Sequence, residues 1–594
     1  MQTHSYLLNK IIIVLAKLNH WYAHSLLNRT VEAVKNATRT STVLAGFIRP
    51  IPQQRDYWGG SWICRAVGVV ASGLLAVLSG CVRLFDRANA SSANRRLLVW
   101  LSSDPTQRNE ADEGIALKTA WFIRKAITGC VPWRLVAWFF RDDAAQQQAK
   151  QVFDAQSIVA NPTQCAHNIG ENIALHKVIY MAFLAGVLLV PGHLWSNAIL
   201  LGSAALFAFV YAVVWVREGH GKVKAHAAEG QHVTINANDD EIASSTRMRL
   251  ISPALLLFVG FCALSIFTGY GGADSLRVFA IFFACVVHSV CVSLTVRNMA
   301  DLRLFTKFIA VALVLTAMFG FYQLAVGIPI RPEFTDLLAS PGLARLHSTM
   351  GNPNNDAQFW GMMLPFVLAM VVAARCDTKR LLLAGAVAVC VGAFALTYSR
   401  AGYVALMAGV GVFILMAAPR LVPIVLIAGI LALPFIPSGI IDRLLTLGTD
   451  TSSQYRFNIW RGVVNMLEVY WVQGIGMGPS AFAQTYARHY QGEAFRALHA
   501  HNTFLDVFIH SGIGALLSFV AYLFNLIRRG VAAHMNAANK EYKVFLAAGV
   551  GALVVFIAFG VGEYVWFYPR VMLVFWMMAG LLTAMVHFKE TPTH

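Results

Sequence analysis

Residues 496–526 read RALHAHNTFLDVFIHSGIGALLSFVAYLFNL, a histidine-bearing polar segment that runs directly into an apolar one. The apolar part, Leu505–Leu526, has the length of a helix that crosses a bilayer, which needs about 20 residues. Upstream of residue 496 the chain lacks such a run back to Ser438, and before Ser438 apolar runs follow one another closely. A series of membrane spans that stops near residue 438 and resumes after residue 504 therefore decides the fold.

The composition agrees with a membrane protein. Hydrophobic residues make up 57% of the 594 residues and charged residues 13%, whereas soluble domains carry about 25% charged residues. Long apolar runs predict twelve spans. They lie near Val178–Leu194, Ala198–Val216, Leu250–Tyr270, Val278–Val296, Phe305–Val326, Gln358–Ala374, Leu381–Thr397, Gly402–Ala418, Leu421–Ile436, Leu505–Leu526, Phe545–Val565 and Val571–His587. We expect an all-α integral membrane protein with a large helical loop, 438–504, before the last three spans.

The distribution of Lys and Arg predicts the orientation, because these residues concentrate on the cytoplasmic side. One set of alternate connections holds Arg217, Lys222, Lys224, Arg247, Arg249, Arg297, Arg303, Lys307, Arg375, Lys379, Arg380, Arg420, Arg528, Arg529, Lys540 and Lys543. With that set in the cytoplasm, loop 438–504 lies outside. The net charge of +17 is then mostly a topology signal, with anionic membrane lipid as a further partner. No nucleic-acid partner is expected, since no basic patch is interleaved with aromatics in a soluble domain.

The first 174 residues differ from the core, 175–594. They form a partly polar extension in which Trp62–Val82 is long enough to span the membrane or to lie in its interface. Both alternatives stay open. No cleavable signal peptide is expected, because the apolar run near Ile11–Leu18 is short and lacks a small-residue cleavage site. None of the nine cysteines falls in the outer loop, and no spacing of cysteine and histidine suggests zinc.

Two predicted outer segments precede the large loop. The first contains Arg345 and a run of asparagines, of which Asn354 or Asn355 is expected to cap the next helix. A plain capped turn and a functional role are equally open for these asparagines. The second is Tyr398–Gly402, where Ser399 and Arg400 sit between two spans. An arginine at membrane depth costs a few kcal/mol, so Arg400 faces a cavity, a partner or the lipid headgroups.

The large loop begins with a predicted amphipathic helix that ends near Trp471. Arg456 and Trp460 are four residues apart and share a face of it. Either Arg456 or Arg461 is expected to be merely solvated, and the spacing does not say which. The apolar residues expected to pack this helix are Val463, Val464, Met466 and Leu467. The glycine cluster 474–478 then breaks the helix and resembles a phosphate-binding nest only weakly.

The loop ends with His499, His501, Asn502 and Thr503 ahead of the next span. Asn502 or Thr503 is expected to cap that span, whose free N–H groups and dipole favour an anion. A single outer histidine is more often a hydrogen-bonded bystander. Two histidines beside a cap and Arg496 favour a functional interpretation.

Together, these segments predict chemistry on an anionic substrate. Arginine forks suit phosphate oxygens, and two of them can hold a diphosphate. A histidine among arginines has its charged form disfavoured and can accept a proton. The combination fits displacement at a sugar anomeric carbon with a departing diphosphate. No outer Asp-x-Asp motif suggests a metal, and no cofactor is expected. Asp506 and Glu563 are the acids that could orient a base or pair with Arg570.

The motifs resemble those of the O-antigen ligase and polymerase superfamily of bacterial envelopes. The resemblance covers about residues 250–587. Its motifs are Gly351-Asn-Pro-Asn354, Ser399-Arg-Ala-Gly402, the Arg456/Trp460 segment, the glycine cluster, and His501-Asn502 followed by Gly512. The resemblance implies about twelve spans and transfer of a glycan from undecaprenyl diphosphate to an acceptor hydroxyl, without a metal, at the periplasmic face of the inner membrane.

Carried over by position, the essential residues would be Arg400, Arg456 and His501. Arg345 joins them as a diphosphate ligand, with supporting roles for His499, Asn502, Ser399, Trp460 and Asp506. The family's histidine motif usually ends in Gly, Thr or Tyr, whereas this chain has Ala515, a departure from the ligase branch.

The acceptor stays open between another repeat unit, the lipid A core and a protein hydroxyl. Ala515 and the N-terminal extension favour a polymerase of O-antigen or exopolysaccharide over a lipid A-core ligase. A protein O-oligosaccharyltransferase and a polysaccharide or lipid transporter are the alternatives. Against a transporter, His288 is nearly alone as an ionisable residue at membrane depth.

Overall fold

The computed structural model describes residues 174–228, 252–328, 345–432, 451–490 and 496–588. The predicted N-terminal extension up to residue 173, with its segment 62–82, lies outside these residues. So do residues 433–436 at the end of the ninth predicted span, and residues 438–450 and 491–495 of the outer loop. Throughout the described ranges the regular structure is helical, without strands. The chain is an all-α integral membrane protein, as the sequence predicted.

Each of the twelve predicted spans coincides with a helix. In the described ranges the α-helices are α1 (Leu175–Leu189), α2 (Asn197–Ala228), α3 (Pro253–Thr268), α4 (Gly272–Thr295), α5 (Met299–Val326), α6 (Pro353–Ala373), α7 (Asp377–Ala395), α8 (Arg400–Ala417), α9 (Val422–Ala432), α10 (Thr451–Tyr470), α11 (Pro479–Tyr486), α12 (Thr503–Asn536), α13 (Lys540–Gly562) and α14 (Pro569–Val586). Among described residues, nine of them are long and apolar enough to cross a membrane, whereas α1, α3 and α9 are shorter. The number twelve therefore stays a prediction. Helices α10 and α11 belong to the outer loop.

Asparagines begin two of the helices that frame the site. The side chain of Asn502 accepts hydrogen bonds from the N–H groups of Phe504 and Leu505 and caps α12, as predicted. The expectation for α6 was wrong. Its cap is Asn352, which accepts from the N–H of Asn354 at 2.8 Å. Pro353 follows the cap because the first helical position needs no N–H donor.

Helix α13 lies at the centre of the bundle, against α6, α8, α12 and α14. Helices α13 and α8 approach each other closely where both carry glycine. A Cβ added to Gly551 would lie 2.7 Å from the carbonyl oxygen of Gly409 on α8. Helices α14 and α4 also meet at a glycine, since a Cβ added to Gly580 of α14 would lie 2.5 Å from the carbonyl oxygen of Ser289 on α4. Backbones in contact leave little room for a side chain, so these helices are fixed relative to one another.

Helix α12 bends at Gly512, whose φ is +77°. A Cβ there would lie 1.9 Å from the carbonyl oxygen of Val472, so only glycine fits. The glycine cluster 474–478 lies along this bend. The N–H groups of Ile475 and Gly476 donate to the carbonyls of Ile509 and His510 at 2.9 and 3.0 Å. These two donors therefore hold the loop on α12.

The connections predicted to lie outside meet at one end of the bundle. There, Arg345 donates to the carbonyl of Thr397 at 2.8 Å, and the N–H of Tyr270 to that of Ile475 at 2.8 Å. At the other end, Lys177 pairs with Asp301 at 2.6 Å and Arg303 with Glu541 at 3.2 Å. The two sets of connections thus lie at opposite ends, as alternating spans require. We call them the outer end and the inner end.

Candidate functional site

Glu563, the residue after α13, is the centre of the outer end. Its Oε1 accepts hydrogen bonds from Nη2 of Arg456 and from Nδ2 of Asn354, the latter at 3.2 Å. Its Oε2 lies 3.3 Å from Nδ1 of His501. Three segments that are far apart in the sequence therefore converge on one carboxylate.

The charge of Glu563 determines which nitrogen of His501 carries the proton. Burial alone would raise the pKa of Glu563, but Arg456 and the two histidines outweigh it and lower that pKa to about 2. The carboxylate is ionised at neutral pH and can only accept hydrogen bonds. Nδ1 of His501 must then be the donor, so Nε2 is the proton acceptor of the neutral ring.

The backbone around His501 is held by its neighbour Ala500, which is fully buried. The N–H of Ala500 donates to both oxygens of Asp506, at 3.2 and 3.0 Å. Its carbonyl accepts from Nε1 of Trp460 at 2.8 Å. Because the N–H and the carbonyl of Ala500 are both held by hydrogen bonds, the backbone positions of His499 and His501 on either side are held too. His501 itself has a φ of +49°, an uncommon value for a residue other than glycine.

His499 contacts both the backbone and the ring of His501. Its Nδ1 accepts a hydrogen bond from the N–H of His501 at 3.1 Å, and the two ring centroids are 4.0 Å apart. The centroid of its ring also lies 4.4 Å from that of Phe567. Burial, and after it the nearby His501, keep the pKa of His499 well below its usual range. A neutral, packed imidazole orients its neighbour.

Arg456 and Arg461 on helix α10 differ in their contacts, which their spacing in the sequence could not show. Arg456 reaches Glu563, whereas Arg461 is exposed and donates to Oδ1 of Asn458 on its own helix at 3.4 Å. Val463 and Met466 are buried, as expected, and Leu467 is partly buried. Val464 was expected to pack but is 53% exposed, because it lies on the opposite face of the helix.

Arg345 belongs to the same network through Asn354. Its Nη2 donates to Oδ1 of Asn354 at 3.0 Å, and Asn354 donates in turn to Glu563. Its Nε holds the carbonyl of Thr397. These bonds fasten the segment before α6 to the end of α7. Phosphate binding by Arg345 stays a prediction.

Arg400 is the first residue of α8, and the Ser399 side chain caps that helix by accepting from the N–H of Gly402 at 3.4 Å. The next residue, Ala401, faces the end of α13: its Cβ would lie 3.7 Å from a Cβ on Gly562. Arg400 and Glu563 thus flank the same contact between α8 and α13. A role of Arg400 in binding the substrate stays a prediction.

The sequence did not show whether Asp506 and Glu563 orient a base or pair with Arg570. Glu563 lies beside His501, whereas Asp506 holds the backbone of Ala500. Arg570 pairs with neither of them. Its guanidinium donates to the carbonyls of Val190 and Thr349, the second at 2.6 Å. The only sequence signal for Glu563 was an acid at the outer end of a span, where a charge is costly.

Residues 385–520 match the family model described as O-antigen ligase. This segment is thus similar to the O-antigen ligase family, over less than half of the chain. It runs from within α7 into α12 and contains Arg400, Arg456 and His501, while Glu563 lies beyond its end. No curated protein matches the chain.

The match supports the predicted O-antigen ligase and polymerase superfamily over this segment. It implies glycosyl transfer of the ligase or polymerase type, with a lipid-linked glycan and an acceptor as partners in general. The apolar helices agree with a multi-pass membrane protein. The wider boundaries predicted for the domain, about residues 250–587, stay a prediction.

Proposed function

We propose that the protein transfers a glycan from an undecaprenyl-diphosphate carrier to an acceptor hydroxyl at the periplasmic face of the inner membrane. The observation that carries this proposal is the shared carboxylate of Glu563, which joins Arg456 to His501 beside a segment that matches the O-antigen ligase family. A cation for a leaving diphosphate and a base for an attacking hydroxyl are thus held side by side. Inversion at an anomeric carbon needs both.

His501 is the proposed general base. Nδ1–H of its ring donates to Glu563, so Nε2 takes the proton of the acceptor hydroxyl as its oxygen attacks the anomeric carbon. The bond between that carbon and the diphosphate oxygen breaks, and its electron pair leaves with the diphosphate. The ionised Glu563 stabilises the imidazolium that forms. His501 is 28% exposed, enough for a hydroxyl to reach it.

Arg456 and Arg400 are the proposed ligands of the diphosphate. A guanidinium carries five N–H donors, more than one carboxylate oxygen can use. Arg456 can therefore bind a phosphate oxygen while Nη2 stays on Glu563. Arg400 lies at the start of α8, where the helix dipole adds to its positive charge. Arg345 adds a further positive charge behind Asn354.

Among acceptors, a growing O-antigen or exopolysaccharide chain is favoured slightly over the lipid A core. The basis is Ala515, which departs from the ligase branch and is fully buried in α12. A protein O-oligosaccharyltransferase would use the same donor chemistry. A transporter is less consistent with the interior, because His288 is satisfied there by Tyr180 and Ser203 at 3.0 and 3.2 Å.

The proposal is tested by glycan transfer in purified protein or membrane vesicles. The substrates are an undecaprenyl-diphosphate-linked glycan and acceptors of each class. His501→Ala is expected to abolish transfer at normal membrane levels, because it removes the nitrogen proposed to take the proton. His489→Ala is the matched control, since that histidine also lies in the outer loop but bonds to the carbonyl of Thr485, at 3.0 Å.

Near-normal transfer by His501→Ala together with loss in His499→Ala would move the base by two residues. The proposed reaction is metal-independent, so EDTA should leave the rate unchanged. Inhibition by EDTA that magnesium reverses would contradict this part of the proposal.

A further inference from the structure

Trp471 and Val472, which directly follow the outer-loop helix α10, are large apolar side chains that lie exposed. Trp471 is 51% exposed and Val472 is 55% exposed, and Val469 in the last turn of α10 is 57% exposed. The loop is predicted to lie outside the membrane, in water. A cluster of exposed apolar side chains there marks a contact surface. The end of α10 therefore presents a surface that requires a partner.

Helix α10 points this end toward the membrane. Near its middle, Nε1 of Trp460 donates to the carbonyl of Ala500, just before α12 begins. At its end, the carbonyl of Trp471 accepts from the N–H of Ile513 at 2.8 Å, just after the bend of α12. Helix α10 therefore runs alongside the first section of α12 and in the same direction. From residue 460 to residue 471 it advances by about 16 Å.

Trp471 reaches the outer edge of the lipid-facing surface of α12. The exposed large apolar side chains of that helix are Leu517, Val520 and Phe524, and all three follow the bend at Gly512. Helix α12 has 34 residues, whereas about 20 residues are enough to cross a bilayer. The section before the bend is therefore not needed to span the hydrocarbon. The segment after α10 meets α12 where the lipid-facing part begins.

Helix α3 reaches the same edge. Its exposed large side chains form a single apolar row along one helix face. They are Leu256, Leu257, Phe261, Leu264 and Phe267, the last of which is 85% exposed. The hydroxyl of Thr268, at the end of α3, donates to the carbonyl of Gln473 at 3.2 Å. The ring of Tyr270 meets that of Tyr470 edge-on, with 5.7 Å between the centroids. The row of α3 thus continues through Tyr270 to the end of α10.

We propose that the exposed side chains at the ends of α3 and α10 form a lipid anchor, which inserts between the headgroups and the first carbons of the acyl chains. The lipid anchor consists of Phe267, Tyr270, Trp471 and Val472. Tryptophan and tyrosine are enriched at this depth, because their rings are apolar and carry one polar group. Phe267 and Val472 offer no hydrogen bond to a sugar but extend the apolar row. Glu468, one turn before Val472, is exposed and lies on the aqueous side.

The lipid anchor also fixes the height of the site above the bilayer. Arg456 lies near the other end of α10, about 21 Å of helix away from Tyr470. Because α10 is one continuous helix, a shift of its anchored end moves Arg456 relative to Glu563. This positioning role rests on the proposed function, whereas the insertion into lipid does not.

Spin labels measure the insertion without any substrate. Val472→Cys is labelled in the full chain on a background without the native cysteines, in vesicles of phosphatidylethanolamine and phosphatidylglycerol. The matched control is Val464→Cys, because Val464 is 53% exposed on the same helix, eight residues before Val472. The label at 472 should be roughly fivefold less accessible to a water-soluble nickel chelate than the label at 464, and more accessible to oxygen.

Three results would overturn the lipid anchor. Equal accessibility to nickel at positions 472 and 464 would leave the end of α10 in water. Low accessibility of position 472 to both nickel and oxygen would mean that protein covers it instead of lipid. Protection that appears only when a soluble glycan is added would make the exposed aromatic rings a carbohydrate-binding surface.

An added charge tests the positioning role. Val472→Asp places a carboxylate at lipid depth, where it is costly, and should lower the transfer rate roughly tenfold at normal membrane levels. Val464→Asp is the matched control and should transfer at a rate near that of the wild type. Trp471→Phe keeps an apolar ring in the lipid anchor and should also transfer well. A normal rate in Val472→Asp, or an equal loss in Val464→Asp, would overturn the positioning role. Failure of the proposed function would show instead as near-normal transfer by both His501→Ala and His499→Ala.

Discussion

The inner and outer ends of the bundle both contain ion pairs, but they use their carboxylates differently. At the inner end, Asp301 pairs with Lys177 and Glu541 pairs with Arg303. At the outer end, Glu563 is shared between Arg456 and His501. A simple pair fastens two helices. A shared carboxylate also sets the tautomer of a base and positions a cation beside it.

The largest difference in transfer rate is expected between substitutions of an outer-end and an inner-end carboxylate. Glu563→Gln should lower the transfer rate by about 1,000-fold, because a neutral amide no longer requires the proton on Nδ1 of His501 or stabilises the imidazolium. Glu541→Gln removes an acid of the inner end and should leave the rate near that of the wild type. Initial rates with the lipid-linked donor, at matched protein levels, measure both.

Comparable losses in Glu563→Gln and Glu541→Gln would mean that both carboxylates are purely structural. A readout specific to orientation separates the cases further. Glu563→Asp keeps the charge and should recover part of the rate, whereas a packing defect would not be corrected by the shorter side chain.

A smaller difference is expected for the arginines. Arg456→Lys keeps the charge but loses the fork that binds Glu563 and a phosphate oxygen together, so transfer should fall roughly 30-fold. Arg400→Lys should fall in the same direction. At the inner end, Arg303→Lys can still reach Glu541 and should stay active. Full activity in both outer lysine variants would indicate generic charge attraction instead of bidentate binding.

The smallest expected effect concerns the support of His501. Trp460→Phe keeps the ring but loses the hydrogen bond to the carbonyl of Ala500, and the rate should fall roughly threefold. Trp471→Phe is the control, because Trp471 is 51% exposed at the end of the same loop helix. If the Trp471 variant loses as much as the Trp460 variant, the loop is sensitive to any aromatic change and Ala500 has no special part.

The helices could be predicted well because a span is a local property of about 20 residues. The run Leu505–Leu526 was sufficient to place α12, and Asn502 was identifiable as its cap. The cap of α6 was misplaced because several asparagines stand together there and any of them can accept an N–H. The side chain that does so, Asn352, is the one followed by proline.

The site was predicted only in part, because its centre is a long-range contact. Arg456 and His501 were identified by residue type and by their position in the outer loop. Their common partner lies 107 and 62 residues further along the chain, and no spacing rule joins such positions. The same holds for the glycine cluster, whose packing on the bend at Gly512 is visible only in three dimensions.

The proposed transfer reaction requires the outer end to face away from the cytoplasm, and cysteine labelling tests that orientation most directly. On a background without the native cysteines, single cysteines replace Gln484 in α11 and Ala538 between α12 and α13, both exposed positions. A membrane-impermeant thiol reagent should label Gln484→Cys in intact cells, and Ala538→Cys only after the membrane is opened. The reverse pattern would place His501 in the cytoplasm, away from an exported lipid-linked glycan, and would contradict the account.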